Sequence, residues 1–223
     1  MENAHSPTLA RYSFLQDDKA SQLFAKVDYL LRSGVHLQRE YPGPQLFRFV
    51  DSAYSNGLPE YYSELFNLHL CKDGSEFDHY YYLDFEEEGR LRIPQDHRDT
   101  LKTEYLLAGM LFFKFYKLDG NIDLEKVSNF TNLLFAEYEE EKEYLRKLIA
   151  DSSTDKGTDY SDEKIRNMIA KAFDKFSKLG WIAWEDEEKD HFSYMPSFER
   201  LRTLYQPQIS KVDELIKSAC DDG

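Results

Sequence analysis

The stretch "AKAFDKFSKLGWIAWEDEEKDHFSYMP", Ala170–Pro196, decides the fold. Ala172, Phe173, Phe176 and Leu179 recur at helical spacing, and Gly180 stands where a left-handed residue would stop a helix. Next come "WIAW" and "HFSYMP" (His191–Pro196), two runs of β-forming and aromatic residues around the acidic turn "EDEEKD". That pattern predicts an antiparallel hairpin closed by proline. A helix running straight into a two-stranded hairpin is the reading element and wing of a winged helix, a variant of the helix-turn-helix.

Extending the helix backward brings in its polar faces. Ser161 stands at the N-cap with Lys164 rather than Glu three places on, so the capping box is incomplete. On a wheel of about 3.6 residues per turn, Ile165, Met168, Ile169, Ala172, Phe173, Phe176 and Leu179 make one broad apolar face. Lys164, Lys171, Lys175 and Lys178 form a stripe beside it, with Arg166 elsewhere on the helix and Asn167 off the stripe. Lysines supply point charges that suit phosphates rather than bidentate base reading, so the stripe predicts DNA contact without sequence preference. A lysine stripe is also the ordinary solvated side of a helix; its place before a wing is what favours nucleic acid.

The N-terminal half has the same plan. Leu23, Phe24, Val27, Leu30 and Leu31 share a helical face that ends near Gly34, "YPGPQ" breaks the chain, and "QLFRFVDSAY" is a second short helix. A third helix is predicted from Leu58 to His69. "HYYYLDF" (His79–Phe85), "EEEGR" and "LRIP" (Leu91–Pro94) then read as the first wing. Further on, Leu101–Leu118 is apolar all round and predicts a central core helix, followed by helices at "LEKVSNFTNLLF" and Glu137–Ala150 and a polar connection at Asp151–Asp159. The final helix is "SFERLRTLY". The fold class is therefore α+β, mainly helical: tandem winged-helix domains at 21–97 and 98–205, with a flexible N-terminal extension (1–20) and a C-terminal tail (206–223).

Two readings separate the halves. The helix before the first wing, "LPEYYSELFNLHL", carries Glu60 and Glu64 and no Lys or Arg, so it is no phosphate reader. Its unit holds more tyrosine than a small core readily satisfies, which places Tyr61, Tyr62, Phe66, Tyr80 and Tyr82 on a partner-binding surface.

Composition limits the alternatives. A formal net charge of -14 excludes coating of nucleic acid by bulk charge, so any DNA contact is local. Cys71 and Cys220 cannot build a framework of bridges, and no run reaches the roughly 18 apolar residues of a membrane span. Together these predict a soluble protein of the reducing cytosol. No phosphate-cradling glycine loop or nucleophile elbow is present, and no cofactor is expected. His69, Cys71, Asp78 and His79 match no zinc spacing. The adjacent pairs Asp78–His79, Asp96–His97 and Asp190–His191 make no acid–base dyad, since neighbours on a strand face opposite ways. The acidic turns read as solvated, and no catalytic site is predicted. A sequence-specific regulator is the alternative, disfavoured because the helix offers mostly lysine to the bases; a hydrolase ranks last.

"DYLLRSGVHLQ", "YYSELFNLHLCKDGSEFDHYYYLDFEEEGRLRIP", "YLLAGMLFFKFY" and "KIRNMIAKAFDKFSKLGWIAW" resemble, in order and character, the MukE and MksE subunits of bacterial condensins, from about Leu23 to about Tyr205. The resemblance implies a kite subunit: a homodimer of tandem winged helices, without enzymatic activity, bound by a kleisin whose ends hold an SMC-type ATPase. It further implies double-stranded DNA as a partner, and in some complexes a toprim nuclease subunit. Roles in chromosome organisation or plasmid restriction, at the nucleoid and away from membranes, follow from it. Lys164, Arg166, Lys171, Lys175 and Lys178 match that family's basic helix before the second wing, although better-known members are richer in arginine there.

Overall fold

A computed structural model describes residues 11–84, 101–121, 124–152, 161–212, 214 and 216. The chain divides into two compact units, Met1–Asp99 and Thr100–Gly223.

In the first unit, α1 (Ala20–Arg32), β1 (Leu37–Gln38), α2 (Pro44–Tyr54), α3 (Leu58–Phe66), β2 (His69–Asp73) and β3 (Tyr80–Asp84) follow in order. The strands form an antiparallel sheet ordered β1-β3-β2, with Leu37 opposite Tyr81 and Leu70 opposite Leu83. Alternation along β3 turns Tyr81 and Leu83 toward a core of Val27, Leu31, Leu46, Val50, Leu58 and Tyr62. Pro59 is tolerated in the first turn of α3, where its missing N–H would have no partner, and Asn67 ends that helix in the left-handed conformation.

The first wing differs from the sequence reading. Its hairpin is β2 with β3, so "HYYYLDF" is the returning strand and His69 lies in a strand rather than in the last turn of α3. Asn67 stops the helix two residues before the apolar period runs out, and the periodicity alone could not show this. The expected return strand Leu91–Pro94 lies outside the described residues, as do "EEEGR", the Asp96–His97 pair, most of the 151–159 connection, and Cys220.

Residues 11–16, expected in a flexible extension, are part of the first unit. Ser13–Gln16 forms a 3-10 turn, and Tyr12 and Phe14 are buried. The Phe14 amide donates to the Asn56 carbonyl at 3.0 Å, the Tyr12 hydroxyl to Glu64 at 2.8 Å, and Arg11 pairs with Glu64. Gly57, at φ +92°, allows this strap to cross, since a Cβ there would run into the Arg11 carbonyl.

The second unit contains α4 (Thr103–Phe113) with a π-helical turn (Lys114–Leu118), α5 (Val127–Glu137), α6 (Glu139–Ser152), α7 (Asp162–Leu179), β4 (Ile182–Trp184), β5 (Phe192–Tyr194) and α8 (Glu199–Ser210). As its composition predicts, α4 is central: Leu107, Ala108, Leu111, Phe112 and Phe113 are buried, and α7 and α8 pack on it. Gly109 permits close packing, because a Cβ there would lie 3.1 Å from Phe176 and 3.2 Å from Leu201. Phe112 is fully buried among the rings of Phe130, Phe173, Phe192 and Phe198.

The two units share a detail that the sequence reading missed. The backbone before α5 pairs with β5 through a bridge of Lys126 with His191, with Val127 N–H to Asp190 O at 2.9 Å and Phe192 N–H to Glu125 O at 3.0 Å. A single bridge thus joins this segment to the two-stranded second wing on the β5 side, where β1 lies beside β3 in the first. Each unit therefore has helix, a segment bridged to the wing, helices and hairpin in the same order. Among the described residues, the second inserts α6 before α7 and carries α8 after its hairpin.

Candidate nucleic-acid interface

Helix α7 ends as its sequence predicts. Gly180 at φ +81° is the left-handed cap, and the Trp181 and Gly180 amides donate to Phe176 O and Ser177 O, closing the last turn. Only Gly180 and Trp181 separate the helix from β4, which begins at Ile182, so the helix leads closely into the wing. Ser161 holds the N-cap position without a side-chain cap bond, and Asp162 and Glu163 lie in the first turn, where the helix dipole favours carboxylates. Ile165, Met168, Ile169, Ala172, Phe173 and Phe176 are all buried, which fixes the rotation of the helix. The lysines are therefore on its flank. Lys171 and Lys178 are exposed; Lys164 and Lys175, closer to the core face, are half-buried.

Arg166 is exposed and points elsewhere. Its guanidinium lies 4.4 Å over the Phe135 ring and donates to Asn132 at 3.3 Å, both on α5. Structure and wheel agree that it is not part of the row.

The acidic wing tip is more than a solvated turn. The Asp186 carboxylate accepts the amides of Asp190 and His191, each at 2.9 Å. Its desolvation would raise the Asp186 pKa, but those amides and that of Lys189 outweigh it and hold the carboxyl below its ordinary value. Asp190 reaches α5: its two oxygens accept from Ser128 N and Ser128 Oγ, each at 2.8 Å. Lys126, at the N-cap of α5, has no acceptor side chain, so the wing caps that helix from 62 residues away. His191 lies 3.1 Å from Glu185 and 3.5 Å from Glu125 rather than paired with Asp190. Lys189 turns back to α7, with its Nζ 2.8 Å from Asp174. Sequence reasoning missed Lys189, Asp174, Asp186 and Asp190. The single lysine inside an acidic run was the available signal for Lys189; nothing local marked Asp190 as a cap.

The aromatic residues expected on a partner surface are mostly interior. Tyr62, Tyr80 and Tyr82 are 0%, 2% and 8% exposed, and Tyr61 and Phe66 are half-buried. This corrects the expectation for Tyr62, Tyr80 and Tyr82, which do not lie on an exposed partner surface. Buried hydroxyls find carboxylates within the chain: Tyr62 with Asp28 at 3.1 Å, Tyr81 with Asp51 at 2.6 Å, Tyr80 with Asp73 at 3.2 Å. Phenol burial and the carboxylate neighbours raise the Tyr62 and Tyr81 pKa values. Arg32 covers the Phe66 ring at 3.9 Å. Among the described residues, the large aromatics that face outward are Tyr29 on α1, 72% exposed, and Phe77 in the β2–β3 turn, 74% exposed.

Around Asp51, burial acts to raise the carboxyl pKa, while hydrogen bonds from Tyr81 and His79 and the Lys72 charge outweigh it and hold it low. His79 lies 2.9 Å from Asp51 and 3.1 Å from the Glu76 carbonyl, so its ring is committed away from His69 and Cys71. Among the described residues no group of three or more His, Cys, Asp or Glu side chains is arranged to hold a metal ion, and no helix is long and apolar enough to cross a membrane.

These features define a mainly helical α+β protein of paired winged-helix-like units, whose second unit presents a basic helix flank beside its wing. The family model for condensin complex protein MksE matches residues 22–206, most of the chain, and the protein belongs to that family. It is thus a subunit of a condensin-like complex. Comparison with curated proteins finds no match.

Proposed function

We propose that this chain is the non-catalytic kite subunit of its condensin-like complex, binding the kleisin and, through it, an SMC-type ATPase, and contacting double-stranded DNA without sequence specificity. One observation carries the DNA contact: Lys164, Lys171, Lys175 and Lys178 share a flank of α7, the helix that runs directly into the second wing. The proposed working domains are 21–97 for dimer and partner contacts and 98–205 for DNA, in a homodimer at the cytoplasmic nucleoid. The complex acts in chromosome organisation or, with a toprim nuclease subunit, in plasmid restriction. Arg166 stays in the proposed site as a neighbour of the row rather than a member.

With about four phosphate contacts per copy, each adding about 0.9 to the salt slope, isolated binding is weak; two copies on one kleisin raise the effective concentration. The test is a mobility shift at low salt with the variant carrying Lys171→Glu, Lys175→Glu and Lys178→Glu. Binding lost equally on unrelated duplexes, with unfolding unchanged, supports the reading. Unchanged affinity removes the row from the site, and loss confined to one sequence favours a regulator.

A further inference from the structure

We propose that Phe77, in the turn between β2 and β3, is an anchor that enters an apolar pocket rimmed by lysine or arginine on the kleisin partner. The inference rests on the kleisin binding proposed above and adds the residue and the chemistry of the contact. Phe77 is the most exposed of the large apolar side chains among the described residues. A lone exposed apolar residue is ordinary in itself. This one is set apart by its mounting and by the charge beside it.

The turn backbone is held from both strands. Gly74 takes φ +97°, and a Cβ there would lie 2.5 Å from the Asp78 carbonyl oxygen, so the chain closes tightly on itself. The Asp73 carboxylate accepts the Gly74 amide at 2.7 Å and the Tyr80 hydroxyl at 3.2 Å, and Ser75 Oγ accepts the Asp78 amide at 3.1 Å. His79 Nδ1 lies 3.1 Å from the Glu76 carbonyl oxygen, and the same ring packs 5.1 Å from Phe47 in the core of the unit. Phe77 thus extends from a held backbone and has two side-chain torsions to fix on binding, a small ordering cost for a large apolar ring. Its neighbours Glu76 and Asp78 are exposed carboxylates, while Lys72 lies 3.6 Å from Asp51. That charge selects the occupant. A phosphate backbone is repelled, and a second copy of a chain with formal net charge -14 is mostly of the same sign. A protein pocket with a basic rim complements both the ring and the carboxylates.

The test measures binding of the purified full chain to the full-length kleisin by surface plasmon resonance. Phe77→Ala is expected to weaken binding about 30-fold, the order expected for loss of a buried aromatic anchor. Phe77→Leu, which keeps part of the apolar volume, should lose less. Glu76→Gln with Asp78→Asn should slow association and flatten its dependence on salt. Thermal unfolding of each variant separates these effects from destabilisation. Replacing Phe77 with photo-reactive benzoylphenylalanine should give a cross-link to the kleisin next to Lys or Arg. Unchanged affinity of Phe77→Ala overturns the proposal. So do cross-links confined to a second copy of the chain or to DNA, and an unaltered salt dependence in the carboxylate variant. If the unaltered chain fails to bind the kleisin at all, the kleisin reading falls and takes this inference with it, an outcome distinct from a chain that binds with Phe77 indifferent.

Discussion

Replacing Asp190 with alanine should destabilise the second unit through a helix that the residue does not belong to. The first amides of α5 have no intrahelical acceptors, and Lys126 at its N-cap offers none. Asp190 supplies two bonds of 2.8 Å to Ser128 and a negative charge at the positive end of the helix dipole. Loss of a cap costs about 0.5–2 kcal/mol, and the charge adds about 0.3–1 kcal/mol. Because Ser128 is exposed and water can replace part of the bonding, Asp190→Ala should cost about 1–2 kcal/mol. Asp190→Asn keeps an acceptor and loses the charge, so it should cost about 0.5 kcal/mol. Both tryptophans, Trp181 and Trp184, are in the second unit, so their fluorescence in a urea titration reports the relevant transition. A shift of less than about 0.3 kcal/mol for the alanine variant, or equal losses for alanine and asparagine, would refute the cap.

Three further outcomes are expected. Phe112→Ala, which removes a fully buried ring from a cluster of phenylalanines, should cost about 3–5 kcal/mol in the same titration. Gly57→Ala forces a side chain onto a left-handed residue and against the Arg11 carbonyl, so circular dichroism melts should show a loss of about 1–3 kcal/mol. Asp51 has its folded pKa depressed, so its stabilisation is full above the unfolded value of about 3.9 and is lost as pH falls through the lower folded value. The gap in urea midpoint between the unaltered chain and Asp51→Asn should accordingly close on acidification.

The second unit was the more legible of the two. The apolar face of α7, the Gly180 stop and the following hairpin are local patterns, each specified within a few residues, and all appear in the structure. The first wing was placed one strand late because Leu58–Phe66 and His69 share a helical period, while the element that ends the helix, Asn67, is a left-handed residue without the usual glycine. The two-residue β1 and the single bridge at Lys126 are too short to show alternation. The tyrosines were misjudged because their acceptors are remote in sequence: Asp28 lies 34 residues from Tyr62 and Asp51 lies 30 from Tyr81. The lysine row was visible on a wheel, but the wing residues that surround it depend on contacts over 15 to 62 residues that only folding creates.

The salt dependence of DNA affinity tests the central claim most directly. If the row on α7 meets phosphates, log affinity of the full chain should fall with log salt at a slope of about −3 to −4, the same on unrelated duplexes. Reversing Lys171, Lys175 and Lys178 should abolish most of that slope. A slope that survives the reversal, or one that differs from duplex to duplex, would contradict the account.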